Sequence, residues 1–348
     1  MRKRRTAPEL LRRFVLERVE QHPGDVVSLV ASHFRITRQA ASKHVTQMVT
    51  DGLLEASGKT KGRTYKPKVI VDSVFQLPVS KTLQEDMIWR DRIFPILKGV
   101  PESILNICHF GFTEMLNNVV DHSGASAVLV GVKRTAIDVS LSINDNGIGI
   151  FEKLQKELGL DDPRHALLEL SKGKLTTDRE HHTGEGIFFT SRMFGKFTIL
   201  SGTLYYSRER RDEDDWLIES EERLKAPGTL INMTIRTNAQ QTAKQVFDRF
   251  AAEELSYAFS KTHVPVKLAK YQQDQLISRS AAKRVLARFD KFREIMLDFQ
   301  GIDSIGSAFA DEIFRVFKNQ HPDINLVVVN ASPEVNKMIE RARSHSHD

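Results

Sequence analysis

The chain has 348 residues, 40% of them hydrophobic, and a net charge of +6, which allows two or three domains that each bury a core. Its single cysteine, Cys108, excludes an intramolecular disulfide and a cysteine zinc site, and no apolar run approaches the roughly 20 residues of a membrane span. The basic N-terminus also lacks the apolar core of a secretory signal, so we expect a soluble, cytoplasmic protein without a membrane partner.

The first 68 residues form a basic head. They contain 15 Lys and Arg against 6 Asp and Glu, a net charge of +9, whereas the remaining residues sum to −3. Such a distribution indicates a nucleic-acid partner for the head, although a solvated basic tail has the same composition. Apolar spacing predicts helices over 8–21 and 25–34, and Thr37 is a favourable N-cap for a third helix that ends at Gly52. Two strand-like pieces, LLEAS and TYKP, follow around a turn rich in glycine and lysine.

Three helices followed by a hairpin resemble the winged helix-turn-helix family, and ITRQAASKHVTQMVTDGLLEA with GKTKGRTY is similar to that family throughout. The resemblance implies that the third helix lies in the major groove of DNA and that the hairpin, or wing, meets phosphates. The implied DNA-contacting residues are Arg38, Gln39, Ser42, Lys43 and Gln47 in the helix, and Lys59, Lys61 and Arg63 in the wing. A winged helix used for protein contacts is the alternative, against which the basic wing argues.

The stretch GFTEMLNNVVDHSGA, residues 111–125, is predicted to be a helix with many polar side chains. Glu114, Asn118 and His122 are four residues apart, so their side chains share one stripe of the helix. A carboxylate, an amide and an imidazole in one row can hold a hydrated metal ion and orient a water molecule. Alone, such a stripe more often faces solvent.

Three glycine-containing motifs follow this helix. Two strands are predicted next, and the second runs into the turn DNGIG that begins at Asp145. Further on, TGEGIFFTSRMF places Gly184 and Gly186 at the start of an apolar helix, where free N–H groups and the helix dipole favour an anion. Later, APGTLINMTI leads through Gly228 and Thr229 into an apolar strand.

In this order and at these separations, the polar helix and the three motifs resemble the GHKL ATPase family, whose members include DNA gyrase, sensor histidine kinases and anti-sigma-factor kinases. The resemblance covers roughly residues 75–236 and implies a Bergerat-type α/β sandwich that binds ATP and Mg²⁺. Glu114 would be the catalytic base, Asn118 a magnesium ligand, and Asp145 the acceptor for the amine of adenine. The other implied nucleotide-binding residues are Gly147, Gly149, Gly184, Gly186 and Thr229.

The segment between Ile150 and Thr183 is polar and contains glycine, as a mobile lid over a nucleotide should. Lys172 and Lys174 could contact phosphates from this segment, and we include Lys174 among the candidate ATP-binding residues, although a solvated lysine is the more common case. A phospho-accepting histidine on a helical hairpin is not expected, because the segment before the polar helix offers only His109.

The last third of the chain alternates predicted helices and strands, which favours a sheet with helical cover. In chain order we predict a helix over 239–260, a strand over 264–269, a helix over 278–289, a strand over 292–299, a helix from near Ser307, a strand over 324–330 and a helix over 332–343.

The piece IMLDFQGIDSIGSAFADEIFRVF resembles the STAS fold of anti-anti-sigma factors and, more closely, its STAS-like relatives of unknown function. In the better-known members an anti-sigma GHKL kinase phosphorylates a serine at the start of this helix, and Ser307 takes that position here. Gly306 stands where those members usually have aspartate. Ser307 is therefore equally well explained as a helix N-cap, and Ser304 is a weaker candidate.

We therefore expect an α+β multidomain chain, with a winged helix-turn-helix at 1–68, a GHKL ATP-binding domain at 69–237, and a STAS-like domain with a connecting helix at 238–348. The expected function is that of a DNA-binding regulator controlled by ATP, with a protein partner or self-association through the last two domains. Three chemistries stay open: a serine kinase acting on Ser307 or another protein, slow ATP hydrolysis as a dimerisation clamp or switch, and a sensor that binds ATP without cleaving it.

Overall fold

The computed structural model describes residues 7–59, 62–175, 184–209, 215–219, 227–251, 259–270 and 276–344. Over these residues the chain is a mixed α and β fold with sheets of two, seven and three strands, which agrees with the predicted α+β class. Within the same residues, no helix combines the length and the apolar character that crossing a membrane would require.

The N-terminal unit consists of three helices and a hairpin, as predicted. Its elements are α1 (Ala7–Arg18), α2 (Val26–Phe34), α3 (Arg38–Thr50), β1 (Leu54–Ser57) and β2 (Thr64–Pro67). The Thr37 hydroxyl caps α3 by accepting a hydrogen bond from the Ala40 N–H at 3.2 Å. A hydrophobic cluster of its own, which includes Val15, Val30 and Val45, holds the unit together.

The central unit is built on a seven-stranded sheet in which all neighbouring strands are antiparallel. Its elements are β3 (Val69–Pro78), α4 (Glu85–Ile88), α5 (Glu102–Asn118), β4 (Ala127–Thr135), β5 (Asp138–Asp145), α6 (Ile150–Leu158), α7 (Pro163–Lys172), α8 (Gly186–Met193), β6 (Lys196–Ser201), β7 (Leu204–Glu209), β8 (Asp215–Glu219) and β9 (Thr229–Arg236). The strand order is β3-β4-β5-β9-β6-β7-β8, so the late strand β9 inserts between β5 and β6. This insertion brings Thr229 beside the end of β5.

The C-terminal unit has a three-stranded parallel sheet in the order β10-β11-β12, covered by helices. Its elements are α9 (Ala243–Phe250), β10 (Lys261–Pro265), α10 (Arg279–Leu286), β11 (Glu294–Asp298), α11 (Ser307–Asp311), α12 (Lys318–Gln320), β12 (Asn325–Val329) and α13 (Pro333–Ser344). A wider π-type turn over Glu312–Phe317 joins α11 to α12. The alternation of helices and strands agrees with the prediction.

Two predicted elements of this unit have different bounds. The helix predicted over 239–260 begins at a capping box on Thr242 and ends at Phe250, because Ala251 is extended and bridges Phe259. The strand predicted over 264–269 ends at Pro265, which has no N–H to continue a ladder, and a 3₁₀ turn follows. Apolar spacing predicted the type of each element correctly, but it did not predict the residues at which each element ends.

The central and C-terminal units share one continuous hydrophobic cluster, whereas the N-terminal cluster is separate. The N-terminal unit meets the sheet through an ion pair in which Arg236 lies 2.7 Å from Glu20. Arg236 also lies 3.2 Å from Asp138 at the start of β5. A charged contact therefore links the first unit to the same sheet that carries the cavity described below.

Candidate functional site

A cavity of about 280 Å³ lies between α5, α6 and the start of α8. Seven of the nine residues predicted for nucleotide binding or catalysis line it: Glu114, Asn118, Asp145, Gly149, Gly184, Gly186 and Thr229. The wall also includes apolar side chains such as Met115, Leu154 and Ile231. Apolar walls together with a small number of convergent polar groups are the usual form of a small-molecule site.

The polar stripe of α5 supplies one wall. Glu114 and Asn118 lie one turn apart, and the helix continues through a wider turn over Val119–Ser123. The Asn118 amide nitrogen is buried and has no hydrogen-bond partner in the described part of the chain. Leaving such a donor unsatisfied costs about 1–3 kcal/mol, so the amide favours a ligand that supplies the missing acceptor.

Asp145 ends β5 and is only 6% exposed. One carboxylate oxygen accepts a hydrogen bond from the Gly147 N–H at 2.8 Å. Burial raises the pKa of Asp145, and hydrogen bonds from the backbone of Gly147 and Thr229 partly oppose the rise. The carboxylate is thus a desolvated acceptor held rigidly at the cavity wall.

Two glycines are required by close approach at this turn. A Cβ at Gly228, whose φ is 118°, would overlap the carbonyl oxygen of Asp145. A Cβ at Gly147 would overlap the carbonyl oxygen of Ser123, which accepts a hydrogen bond from the Ile148 N–H at 3.0 Å. Gly147 does not line the cavity; it instead allows the turn to dock against the end of the polar helix.

The strand insertion fixes the other side of the turn. The Thr229 hydroxyl accepts a hydrogen bond from the Ile150 N–H at 3.0 Å, which ties β9 to the start of α6. The Ser201 hydroxyl donates to the Gly228 carbonyl at 2.9 Å. Thr229 therefore supports the turn as well as lining the cavity.

The start of α8 forms a further part of the cavity wall. A Cβ at Gly186 would overlap Oε2 of Glu114, so this carboxylate lies against the first residue of α8. The Leu175 N–H donates to the Gly184 carbonyl at 3.0 Å, so the ends of the segment over 176–183 are joined at its base.

Most of the segment predicted as a lid between Ile150 and Thr183 is helical instead, because Ile150–Leu158 and Pro163–Lys172 form α6 and α7 and bury apolar residues such as Phe151 and Leu167. Its last residues, 176–183, lie outside the described residues.

Lys153 lines the cavity but was not among the predicted site residues. Its ammonium donates to the His122 carbonyl at 2.8 Å and lies 3.5 Å from Glu157. The available signal was its place four residues after Gly149, one turn into a helix that starts at the cavity.

The predicted DNA-contacting residues lie away from the buried side of α3, which carries Ala41, Val45 and Met48. Those that are exposed are Arg38, Gln39, Lys43, Gln47, Lys59 and Arg63. Ser42 is half-buried, and Lys61 lies outside the described residues. The Gln47 amide donates a hydrogen bond to Asp51 at 2.8 Å, so part of its hydrogen-bonding capacity is used by its own neighbour at the end of the helix.

Comparison with family models finds one match: residues 281–336 match a STAS-like domain of unknown function (DUF4325). The C-terminal unit therefore contains a STAS-like domain. The match runs from α10 into α13 and agrees with the resemblance predicted for this part of the sequence. The chain matches no curated protein.

Ser307, the predicted phosphoacceptor, is the exposed first residue of α11 in the STAS-like domain. The alternative that it caps the helix is wrong, because Gly306 occupies the N-cap position. A Cβ at Gly306 would lie 2.5 Å from the Ile277 Cα, which explains why glycine stands there instead of aspartate. Ser304 is also exposed.

A buried polar network joins α7 to the STAS-like domain. Lys172 is fully buried and donates to Glu169 at 2.6 Å and to the carbonyl oxygens of Arg284 and Ala287 at 3.1 and 2.9 Å. Arg288 donates to the second Glu169 oxygen at 2.6 Å. Burial lowers the pKa of Lys172 to about 8, although Glu169 acts in the opposite direction.

Lys174, a predicted nucleotide ligand, also points to the STAS-like domain and does not line the cavity. Its ammonium donates to the Lys291 carbonyl at 2.9 Å and lies 5.0 Å from the centroid of the Phe292 ring. Arg288 donates to the Lys174 carbonyl at 3.0 Å. The domain contact thus occupies the side chain that the sequence assigned to phosphate.

Proposed function

We propose that the cavity is an ATP site of the GHKL type and that the chain is a DNA-binding regulator controlled by it. The observation that carries this proposal is the convergence of Glu114, Asn118 and Asp145 on one cavity, with the glycine-rich start of α8 in its wall. Turn chemistry or a solvent-facing polar stripe would explain each residue alone but would not require them to meet.

Asp145 has the chemistry of a group that selects adenine. An ionised carboxylate only accepts hydrogen bonds, and adenine offers an exocyclic amine, whereas guanine would place a carbonyl oxygen against it. Because Asp145 is only 6% exposed, water cannot relieve the repulsion between its carboxylate and a carbonyl oxygen placed against it. This argument supports ATP over GTP.

The residues present at the polar end fit Mg²⁺ and a phosphate chain. Magnesium takes oxygen ligands and usually keeps several from water and phosphate, so the side-chain oxygen of Asn118 could complete its coordination while the amide nitrogen, which has no partner among the described residues, donates to a phosphate oxygen. Among the described lining residues, Lys153 is the only lysine or arginine, while Glu114, Glu157 and Glu185 are acidic. A bound Mg²⁺ would supply the charge that such a wall lacks for a triphosphate.

In the proposed reaction Glu114 positions the attacking hydroxyl or water and accepts its proton. Its carboxylate lies against Gly186, the first residue of α8. Asn118, one turn further along α5, would orient the phosphate end toward it. The acceptor decides between the two active chemistries: a serine hydroxyl makes the domain a kinase, and water makes it an ATPase switch.

Incubation with ATP labelled at the γ-phosphate separates these chemistries. Label retained by the protein and lost in Ser307→Ala supports kinase action on the STAS-like domain. Free labelled phosphate without labelled protein supports the switch, and binding without either product supports a sensor. Failure of wild type to bind Mg-ATP, measured by calorimetry, would remove the whole proposal.

We propose further that α7 carries the nucleotide state to the STAS-like domain. Leu170, near the end of α7, and Leu175, three residues past it, line the cavity. Glu169 and Lys172 of the same helix bind Arg288 and two backbone carbonyls of the STAS-like domain. A ligand that favours one position of this segment must therefore favour the matching position of the domain.

Arg288→Ala tests this connection. Removing one partner of a buried ion cluster leaves Glu169 less well paired, so we expect a loss of about 3 kcal/mol in unfolding free energy and a lower Tm. We also expect Mg-ATP to stabilise the STAS-like domain less in this variant. Hydrogen exchange of α10 measures this stabilisation. Lys283→Ala, on the exposed side of α10, is the matched control and should change neither quantity. Unaltered exchange in both variants would contradict the connection.

The exposed face of α3 and the basic wing support DNA as the partner of the N-terminal unit. Lys59→Ala should weaken binding to any duplex and reduce the slope of log K against log salt by about 0.9, because one phosphate contact is lost. Fluorescence anisotropy at several salt concentrations measures both effects. Lys66→Ala is the control, because this lysine already lies 3.0 Å from Glu55. Equal effects of the two substitutions would argue against a specific role for the wing.

A further inference from the structure

The outer edge of the seven-stranded sheet is a long strand that lacks the usual protection. Strand β3 spans ten residues, Val69–Pro78, and β4 is its only strand partner among the described residues. Natural edge strands are usually short or carry lysines, prolines or covering segments, because unpaired N–H and C=O groups invite another strand. In β3 the only charged residue is Asp72, and the only proline is the last residue.

Apolar side chains are exposed along this edge. Val69, Ile70 and Val74 are 38%, 49% and 66% exposed, and Leu129 on the neighbouring strand is 41% exposed. Val, Ile and Phe also give β3 a high strand propensity. An exposed, extended and largely uncharged edge of this length is a surface for strand addition.

We propose that β3 pairs antiparallel with β3 of a second copy of this chain, joining two seven-stranded sheets into one. The two-fold axis of such a pair is perpendicular to the sheet, so the same patch serves both subunits and the contact closes as a dimer. Antiparallel pairing supplies about one hydrogen bond per paired residue, to backbone groups on the side of β3 where no strand lies among the described residues.

Side-chain chemistry selects the register. Asp72, Val74 and Gln76 face outward with Lys133, Gly131 and Leu129 of β4, their direct cross-strand partners. An axis at Asp72 would set two carboxylates opposite each other, which is unfavourable. An axis at Val74 sets Val74 opposite the partner's Val74 and Asp72 opposite the partner's Gln76, an apolar pair flanked by two amide–carboxylate pairs. The strand is self-complementary in this register, which favours a second copy over a foreign peptide.

The same register sets the distance between the two points at which the N-terminal units join the sheet. Only Lys68 separates β2 from β3, and Val69 lies five residues from the axis. At about 3.4 Å per residue, the two copies of Val69 are about 34 Å apart. The pair would therefore present its two N-terminal units with two-fold symmetry; a two-fold DNA site for them rests on the proposed DNA binding, whereas the strand pairing does not.

A cysteine pair tests both the contact and its register in the full chain. In Val74→Cys the new thiols would face each other across paired strands, where Cα atoms lie about 4.5–5.5 Å apart and a disulfide can form. We expect rapid conversion to a covalent dimer on mild oxidation, seen on non-reducing gels. Asp72→Cys is the matched control, because its two copies would lie about 14 Å apart and should stay unlinked. The native Cys108 is buried and does not interfere.

Light scattering of the unmodified chain should give twice the 39.6 kDa protomer mass, and Val74→Lys should give the protomer mass with unchanged circular dichroism. Met87→Lys, at another exposed apolar position, should remain dimeric. A monomeric wild type, or cross-linking of Asp72→Cys as fast as Val74→Cys, would overturn the proposal. ATP binding is measured separately, so a failure here is distinguishable from a failure of the proposed nucleotide site.

Discussion

Asp145→Asn is expected to lower the affinity for Mg-ATP by about 100-fold. Asparagine fills the same space, but it replaces a charge-assisted hydrogen bond to the adenine amine with a neutral one and can turn a donor toward that amine. Losing a bond to a charged group costs about 1.5–3 kcal/mol, and each 1.4 kcal/mol is a factor of ten in Kd. Calorimetric titration with a non-hydrolysable ATP analogue measures the change.

The same variant should also narrow the preference for ATP over GTP. The asparagine amide can donate to the carbonyl oxygen that guanine presents, whereas the carboxylate would face it acceptor to acceptor. Asp161→Asn, an exposed aspartate before α7, is the matched control and should bind ATP as wild type does. An unchanged Kd for Asp145→Asn would separate this carboxylate from the base and leave the cavity without its proposed means of selecting adenine.

The polar part of the candidate site was accessible from the sequence because helical spacing constrains it. Glu114 and Asn118 are one turn apart whatever surrounds them, and a buried strand that runs into a glycine turn fixes the position of Asp145. Local geometry of this kind does not depend on the remainder of the fold. Their meeting in one cavity does depend on it, since β9 must insert between β5 and β6.

The wrong predictions concern residues whose contacts are made by segments distant in sequence. Lys174 was assigned to phosphate, but its ammonium binds the carbonyl of Lys291, more than a hundred residues later. The N-cap interpretation of Ser307 was wrong because α11 begins at Ser307 and its N-cap is Gly306, where Ile277 leaves room only for glycine. In both cases the residue type was compatible with two roles, and a contact absent from the local sequence selected one.

The part of the cavity wall that α7 provides also depends on contacts with distant segments. Its network with the STAS-like domain contains Lys172, which sequence composition would place in solvent and which is fully buried. Buried charges are tolerated where they are paired, and here Glu169 and Arg288 complete the set. The contact between the two units therefore involves a helix that also lines the candidate site, which is the physical reason to expect regulation between them.

Glu114→Gln is expected to retain Mg-ATP binding within about threefold while slowing turnover by 10²–10⁴-fold, the usual contribution of a general base. Glutamine keeps the size of the side chain, which matters because Gly186 packs directly against it. It cannot accept the proton of the attacking group. Single-turnover release or transfer of labelled phosphate measures the rate, and calorimetry measures the Kd.

Comparison of this variant with Asp145→Asn separates binding from chemistry, because one substitution should lower affinity and the other only the rate. Glu152→Gln, on the exposed side of α6 and 2.8 Å from Lys156, controls for loss of an acidic residue near the cavity. Turnover by Glu114→Gln at the wild-type rate would exclude this carboxylate as the base. If wild type binds Mg-ATP but neither wild type nor the variants cleave it, the protein is a nucleotide sensor in which Glu114 has a structural role. Regulation must then follow from nucleotide binding alone.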